Sequence, residues 1–246
     1  MFSDCHCHLG EDAESAVMEA LKVDVGLILT AGIDLESSRR AVEIADRFEA
    51  VRACIGVHPW YADEYDVEVE HLFRKLIEEG KVIAVSEIGL DYVGRMTKDW
   101  VYEERIIDKK IQRETFKAQL RLAREFELPV IVHDRTPSFE TLELIEGEGN
   151  VEMGAVIHGF SRDVEYVERC EDLGIYLSIG VRPLNRGELT PDAVRRIPLE
   201  LLLTETDSAQ PRDVLRVAEQ VATLMDVRPR EIGEKATRNL RRLLRL

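Results

Sequence analysis

Asparagine is scarce in this 246-residue chain, occurring only at Asn150, Asn185 and Asn239. Charged residues make up 33% of it, and the two features together lean towards a heat-resistant protein. Four cysteines (Cys5, Cys7, Cys54 and Cys170) are too few to frame a chain of this length with disulfides. No apolar run approaches the ~20 residues needed to span a bilayer. Met1-Phe2-Ser3-Asp4 lacks the basic stretch and apolar segment of a secretory leader. These absences predict a cytoplasmic protein with no membrane association. Positive charge is also in deficit, with 33 Lys and Arg against 48 Asp and Glu, a formal net charge of −15. Duplex nucleic acid is gripped mainly through Lys and Arg contacts to phosphate, so a high-affinity duplex binder is excluded. No stacking platform is evident either, which argues against a non-catalytic nucleic-acid module. A phosphate ester stays within reach where metal ions supply local positive charge.

No linker, low-complexity tract or internal repeat divides the chain, and no protein partner is evident. Residues 1–246 are expected to form one domain. Short apolar runs alternate with longer amphipathic stretches. The runs predict strands at 2–9, 25–31, 51–58, 82–88, 129–134, 154–159, 174–180 and 200–206. Between them, Phe116, Leu120 and Ala123, and again Val214, Val217, Val221 and Leu224, are spaced to line one face of a helix. Eight strand–helix repeats point to an α/β fold, a closed (β/α)8 TIM barrel. The rival doubly wound sheet with a dinucleotide site has no support, because no Gly-x-Gly-x-x-Gly follows the first strand. One long connection, 93–110, holds Arg95, Lys98, Trp100, Tyr102, Arg105, Lys109 and Lys110 and reads as a solvated insertion or a functional loop.

Of six histidines, five (His6, His8, His58, His133 and His158) fall at or near the C-terminal end of a predicted strand. His71 falls in a helical pattern, at an expected surface position. The C-terminal strand ends of such a barrel converge on the face where active sites are built. In Asp4-Cys5-His6-Cys7-His8, alternate residues of a strand point the same way, about 6.6 Å apart. His6 and His8, with Asp4, are thus expected on one face, able to hold a divalent ion. Cys5 and Cys7 are expected to point outward, as packing residues. Glu87 ends the fourth strand and is placed to bridge two ions, while Asp91 falls in the following loop and stabilises a turn. His133 and His158, each closing a short apolar strand, read as ligands of a second ion. Asp207, on the strand that closes the barrel beside the first, reaches the His6/His8 ion and is the candidate general base, with helix capping by Asp207 or Ser208 as the bland alternative. Asp4 and Glu205 are candidates to hold the second ring nitrogen of a ligating histidine.

These blocks, in order, resemble the TatD family of metal-dependent deoxyribonucleases, among the amidohydrolase-type barrels. The similarity runs through Asp4-Cys5-His6-Cys7-His8-Leu9, Ile55-Gly56-Val57-His58-Pro59, Glu87-Ile88-Gly89-Leu90-Asp91-Tyr92, Gln112-Arg113-Glu114 with Phe116, Gln119 and Leu120, His133-x-Arg135, Ile157-His158-x-Phe160-Ser161 and Glu205-Thr206-Asp207. The resemblance implies two divalent metal ions, Mg2+ or Mn2+ with Zn2+ suited to the nitrogens. It implies His6, His8, Glu87, His133, His158 and Asp207 as their ligands. His58 would then lie by the substrate phosphate and Arg135 would contact phosphate or a ligand, with DNA or a small nucleic acid as substrate. The chain departs from the family pattern at Asp134, usually Ser, at Gly159, usually Cys, and at Ser208-Ala209, usually Ala-Pro. These departures are expected to line the substrate.

The leading expectation is a phosphodiesterase or deoxyribonuclease in which Asp207 takes the proton of the attacking water. The alternatives are an amidohydrolase-type amidase, lactonase or other esterase, disfavoured because Glu87 stands where a carboxylated lysine bridges in many such enzymes, and a metal-binding protein without turnover. A histidinol-phosphatase-like enzyme would need a late Asp-x-His, which Thr206-Asp207-Ser208-Ala209 does not supply.

Overall fold

The computed structural model describes residues 1–97 and 101–246. Eight parallel strands follow one another around a barrel: β1 (Phe2–Cys7), β2 (Val25–Ala31), β3 (Val51–Ile55), β4 (Val82–Asp91), then, after a two-stranded hairpin of β5 (Arg95–Met96) and β6 (Tyr102–Glu103), β7 (Val130–Arg135), β8 (Ala155–His158), β9 (Tyr176–Ile179) and β10 (Leu202–Thr204). Each barrel strand lies beside its sequential neighbour. The ring closes where Asp207 N–H donates to His6 O at 3.0 Å and His8 N–H to Ser208 O at 3.0 Å. No helix of the described residues is long and apolar enough to cross a membrane.

The helices start where the sequence places acidic caps. Asp34 and Ser37 form a reciprocal capping box on Leu35–Arg47, and Asp66 caps Val67–Glu78 through the amides of Glu68 and Val69. His71 is exposed on the latter helix. The Lys109–Glu125 helix buries Phe116, Leu120 and Ala123, and Val214–Met225 buries Val217 and Val221 against the outer faces of the strands. One apolar cluster gathers side chains from all eight barrel strands, including Cys5, Leu29, Cys54, Ala84, Ile131, Val156, Tyr176 and Leu203. Only inward-pointing residues can meet in that way, so this is the barrel interior. Leu240, Leu243 and Leu244, at the end of the chain's last helix (Pro229–Leu243), close it from the N-terminal side.

Cys5 therefore departs from the expected outward direction. It points into the barrel, with Ser178 Oγ at 2.9 Å across the interior, whereas Cys7 does pack outward against the Ala13–Lys22 helix. The cause is a bulge. Between Asp4 and Cys7 the first strand spends three steps where its partner spends two, from Ile28 to Thr30. The extra residue breaks the alternation, so Cys5 and His6 both face inward. A second bulge lies in β4, where Val85 to Ile88 pairs with Val130 to Val132.

Strand ends also shift. β3 stops at Ile55 rather than residue 58, because Pro59 opens a 3-10 turn over Pro59–Glu64. β4 runs on to Asp91, pairing Leu90 with Asp134 and Asp91 with Arg135. It can do so because Gly89, at φ +143°, has no side chain; a Cβ there would stand 2.0 Å from His133 O. In the 93–110 connection, Lys98 and Trp100 lie outside the described residues. Lys109 and Lys110 belong to the first turn of the next helix.

Candidate metal centre

The five strand-end histidines and both carboxylates meet at the C-terminal mouth of the barrel, and Glu87 is the hub. Its Oε2 faces β1, with His6 Nε2 at 3.3 Å and His8 Nε2 at 3.5 Å. Its Oε1 faces β7 and β8, with His133 Nδ1 at 2.8 Å and His158 Nε2 at 2.7 Å. Asp207 joins the first side, its Oδ1 lying 3.4 Å from His8 Nε2 and 4.0 Å from His6 Nε2. The rings crowd together: His6 and His158 stack at 4.1 Å between centroids, and His133 and His158 stand 5.4 Å apart.

The bulge in β4 delivers Glu87 to this position, since it carries an extra residue next to an otherwise regular ladder. Asp207 is turned inward by a left-handed backbone, φ +48°, a conformation Asp tolerates better than most residues. Neither Asp207 nor Ser208 caps a helix. The following 3-10 turn, Pro211–Asp213, has Gln210 at its N-cap, and the next α-helix has Asp213 at its own. Side-chain exposure divides the centre: Asp207 and His8 are 28% and 33% exposed, whereas His6 and Glu87 are 0% and 5%. Solvent therefore reaches the His8–Asp207 side.

The second ring nitrogens are held by groups that sequence patterns mark only in part. His8 Nδ1 meets Ala31 O at 3.0 Å, a backbone partner with no sequence signal. His6 Nδ1 has Ser86 Oγ at 3.5 Å. His158 Nδ1 makes no hydrogen bond but faces Glu205 Oε1 at 3.5 Å, and that oxygen accepts the Gly159 N–H at 2.6 Å. His133 Nε2 meets Asp91 Oδ2 at 3.0 Å. Asp91 thus does more than shape a turn: its Oδ1 takes the amides of Val93 and Gly94, while its Oδ2 takes His133 and the Trp60 indole N–H. Asp4 holds no ring. It accepts from the Thr206 hydroxyl and amide and from the His6 amide, locking β1 to the end of β10.

His58 sits among the others, with Nε2 3.2 Å from Glu87 Oε1. Its Nδ1 accepts the Trp60 backbone N–H at 3.1 Å, which leaves the proton of a neutral ring on Nε2. Although His58, Glu87 and His133 have ligand atoms within 4.8 Å of one another, a protonated Nε2 is a donor, not a ligand. Arg135 bonds the Asp134 carbonyl at 2.8 Å and brings its guanidinium over Gly159, where a Cβ would lie 3.0 Å from Nη2. Asp134 does not line the substrate side as expected. It is buried behind β7, accepting from Thr136, Thr141 and the Tyr166 hydroxyl, the last at 2.5 Å. Strand alternation puts it on the face opposite His133 and Arg135.

Charge is strongly coupled here. Burial would raise Glu87, but the charges of His158 and His58 and the hydrogen bonds of His133 and His158 hold it well below its ordinary range. Burial likewise opposes ionisation of Asp207, and the His8 hydrogen bond and the neighbouring imidazoles lower it. Burial alone would lower His8; its contacts to Asp207 and Glu87 outweigh that and push it up to about 9. His158 rises in the same way beside Glu87 and Glu205. Burial takes His58 down to about 4 against the pull of Glu87, and it lowers His6, with His158 adding to the effect.

A cation fits this donor set. His6 Nε2 is buried with no hydrogen-bond partner, although it faces two carboxylates. The groups His6–His8–Glu87 and His6–His158–Asp207 each offer three ligand atoms within 4.8 Å of one another. The carboxylates favour the protonated forms of His8 and His158, and metal uptake competes with those protons. Metal titration near pH 7 is expected to release at least one proton and to weaken as pH falls. A calorimetric heat independent of the buffer's ionisation enthalpy would sink this expectation.

The model of the family described as TatD related DNase matches residues 3–245. The chain belongs to the TatD family of metal-dependent hydrolases. It is 31% identical to the uncharacterized metal-dependent hydrolase YabD of Bacillus subtilis (strain 168), over 100% of both chains. It is also 31% identical to the protein named 3'-5' ssDNA/RNA exonuclease TatD of Citrobacter koseri, over 83% of this chain and 76% of that one. The crystal structure of the TatD homolog YjjV from Escherichia coli K12 superposes with a TM-score of 0.86 at 26% identity, covering 100% of this chain and 98% of that one. Within the TatD frame, Asp91 is the residue that the sequence reading undervalued. Asp91→Asn, which removes the charge opposing His133 Nε2, is expected to weaken metal binding roughly ten-fold or more. Competition against a chelator measures it, and an unchanged affinity would reduce Asp91 to its turn.

Proposed function

We propose that this TatD-family hydrolase is a phosphodiesterase acting on single-stranded DNA or small nucleic acids. The observation that carries the reading is the division of Glu87, one oxygen toward His6 and His8 and the other toward His133 and His158. A carboxylate set between two nitrogen pairs is the layout of a bridging ligand. His6, His8 and Asp207 would hold one divalent ion and His133 and His158 the other, with Mg2+ or Mn2+ expected and Zn2+ suited to the imidazoles. Such ions, when bound, supply the positive charge that makes water nucleophilic at neutral pH and steadies charge on a phosphoryl oxygen.

The chain's own residues supply the rest. Asp207, ionised and on the open side, accepts the proton of the attacking water at its carboxylate. His58, neutral and carrying its proton on Nε2, offers a hydrogen bond to a phosphoryl oxygen. Arg135 draws the phosphate to the mouth by charge and fork geometry. Glu205 and Asp91 keep the rings of His158 and His133 turned with their ligand nitrogens inward. The relatives named as an ssDNA/RNA exonuclease in Citrobacter koseri and as deoxyribonuclease Tat-D in Schizosaccharomyces pombe support the substrate class. So does the acidic charge of −15, which favours chain ends and short substrates over long duplexes.

The test is cleavage of an end-labelled single-stranded oligonucleotide and of bis-p-nitrophenyl phosphate, with Mg2+, Mn2+ and Zn2+ supplied separately. Metal-dependent cleavage of both establishes the activity. Confirmed metal loading without cleavage of either ester overturns it in favour of another hydrolase substrate.

A further inference from the structure

We propose that Trp60 is the platform on which a substrate nucleobase stacks, so that the site selects a nucleotide rather than a bare phosphodiester. This inference rests on the phosphodiesterase reading above. Trp60 follows His58-Pro59 at the start of the 3-10 turn after β3 and is half-buried. Its ring centroid lies 4.2 Å from that of His58, tilted by 57°, and 6.2 Å from that of His133. The indole therefore stands one ring's width from the metal centre, beside the imidazole placed to meet the phosphate.

The ring is also fixed in advance. Trp60 Nε1 donates to Asp91 Oδ2 at 2.9 Å, and the same oxygen meets His133 Nε2 at 3.0 Å. An aromatic face already held in place costs little further ordering when a ligand lands on it. The other aromatics beside the centre, among the described residues, are not so placed. The Tyr92 ring carries the Lys109 ammonium at 4.3 Å, and Tyr61, Phe160 and Tyr166 are buried. With a net charge of −15, the protein has little to gain from counterion release, whereas stacking is independent of charge and tolerant of sequence.

Two measurements decide between a stacking platform and a mere brace for Asp91. Trp60 and Trp100 are the chain's two tryptophans, so Trp100→Phe leaves Trp60 as the sole indole reporter. Thymidine 5′-monophosphate is expected to quench its fluorescence saturably in the magnesium-loaded protein, and deoxyribose 5-phosphate is not. Equal quenching by the two, or none, overturns the proposal. The binding arm needs no turnover, so it is independent of whether the enzyme cleaves DNA. The second arm compares oligonucleotides with an intact or an abasic terminal residue. Trp60→Leu should lower kcat/KM on the intact end by about ten-fold or more and erase the preference over the abasic end, while Trp60→Phe, which keeps a ring but no N–H, preserves that preference. Equal losses on both substrates, or Phe behaving as Leu, would assign Trp60 to bracing the metal centre instead. Wild-type protein that cleaves neither substrate, yet is quenched by the nucleotide alone, would strike down the phosphodiesterase reading and leave the nucleotide platform standing.

Discussion

Replacing Asp207 by Asn is expected to cut the hydrolytic rate by about 10²- to 10⁴-fold while leaving the barrel folded, the span associated with a positioned general base. The amide keeps the shape of the side chain and leaves the Asp207 N–H to His6 O bond at 3.0 Å untouched, so circular dichroism and melting should change little. Two losses combine in the variant. The carboxylate proposed to accept the water's proton is gone, and so is the charge facing His8 Nε2 at 3.4 Å. Elemental analysis separates them: lost rate with retained metal assigns Asp207 to proton transfer, and lost metal assigns it to ligation. Full activity in the variant would remove Asp207 from the chemistry altogether.

Glu87→Gln should have the larger structural consequence. The carboxylate is buried and touches five imidazoles, and it is held ionised by them despite its burial. Because its folded value lies below the ordinary one, its contribution to stability is complete above the usual carboxylate range. That contribution fades only as pH falls towards the lowered value. An amide in its place removes the charge that faces His158 Nε2 at 2.7 Å and the four other imidazoles. Breaking a buried pair in this way costs about 3–5 kcal/mol. For a chain of this size that corresponds to a fall in the melting temperature of metal-free protein of roughly 6–20 °C. An amide has only one acceptor oxygen, so it could not take the proposed place between two ions, and hydrolysis is expected to vanish. A variant that melts as the wild type does and still binds two ions per chain would refute the hub assignment.

Much of this was readable before any coordinates. Each candidate ligand histidine beyond β1 closes a run such as Pro129-Val130-Ile131-Val132, and an apolar strand ending in a titratable residue at a barrel mouth carries its own placement. Asp207 was readable for the same reason. What escaped was set by the backbone. Strict alternation along Asp4–His8 sent Cys5 outward, and only the register against β2 shows the inserted residue that turns it in. The bulge under Glu87 left no mark in the sequence either. Asp91 was underrated because Gly89 lets β4 continue three residues past the expected end, and glycine ordinarily reads as a stop. Asp134 looked like a substrate contact from its place beside His133, and strand alternation buried it instead among Thr136, Thr141 and Tyr166.

The seam of the barrel has a temporal meaning. The bonds that join the first barrel strand to the last run between His6 and Asp207 and between His8 and Ser208, at the candidate active residues themselves. About two hundred positions of sequence separate the two halves of that constellation, so its assembly is among the most non-local events in folding. A ribosome-bound chain with seven strands emerged carries both β1 histidines and no partner for them across the gap. On the proposed assignment such an intermediate lacks Asp207 and is expected to be inert, however ordered its other strands. Hydrolytic competence then reports ring closure itself, and onset of turnover during refolding times the last strand's docking.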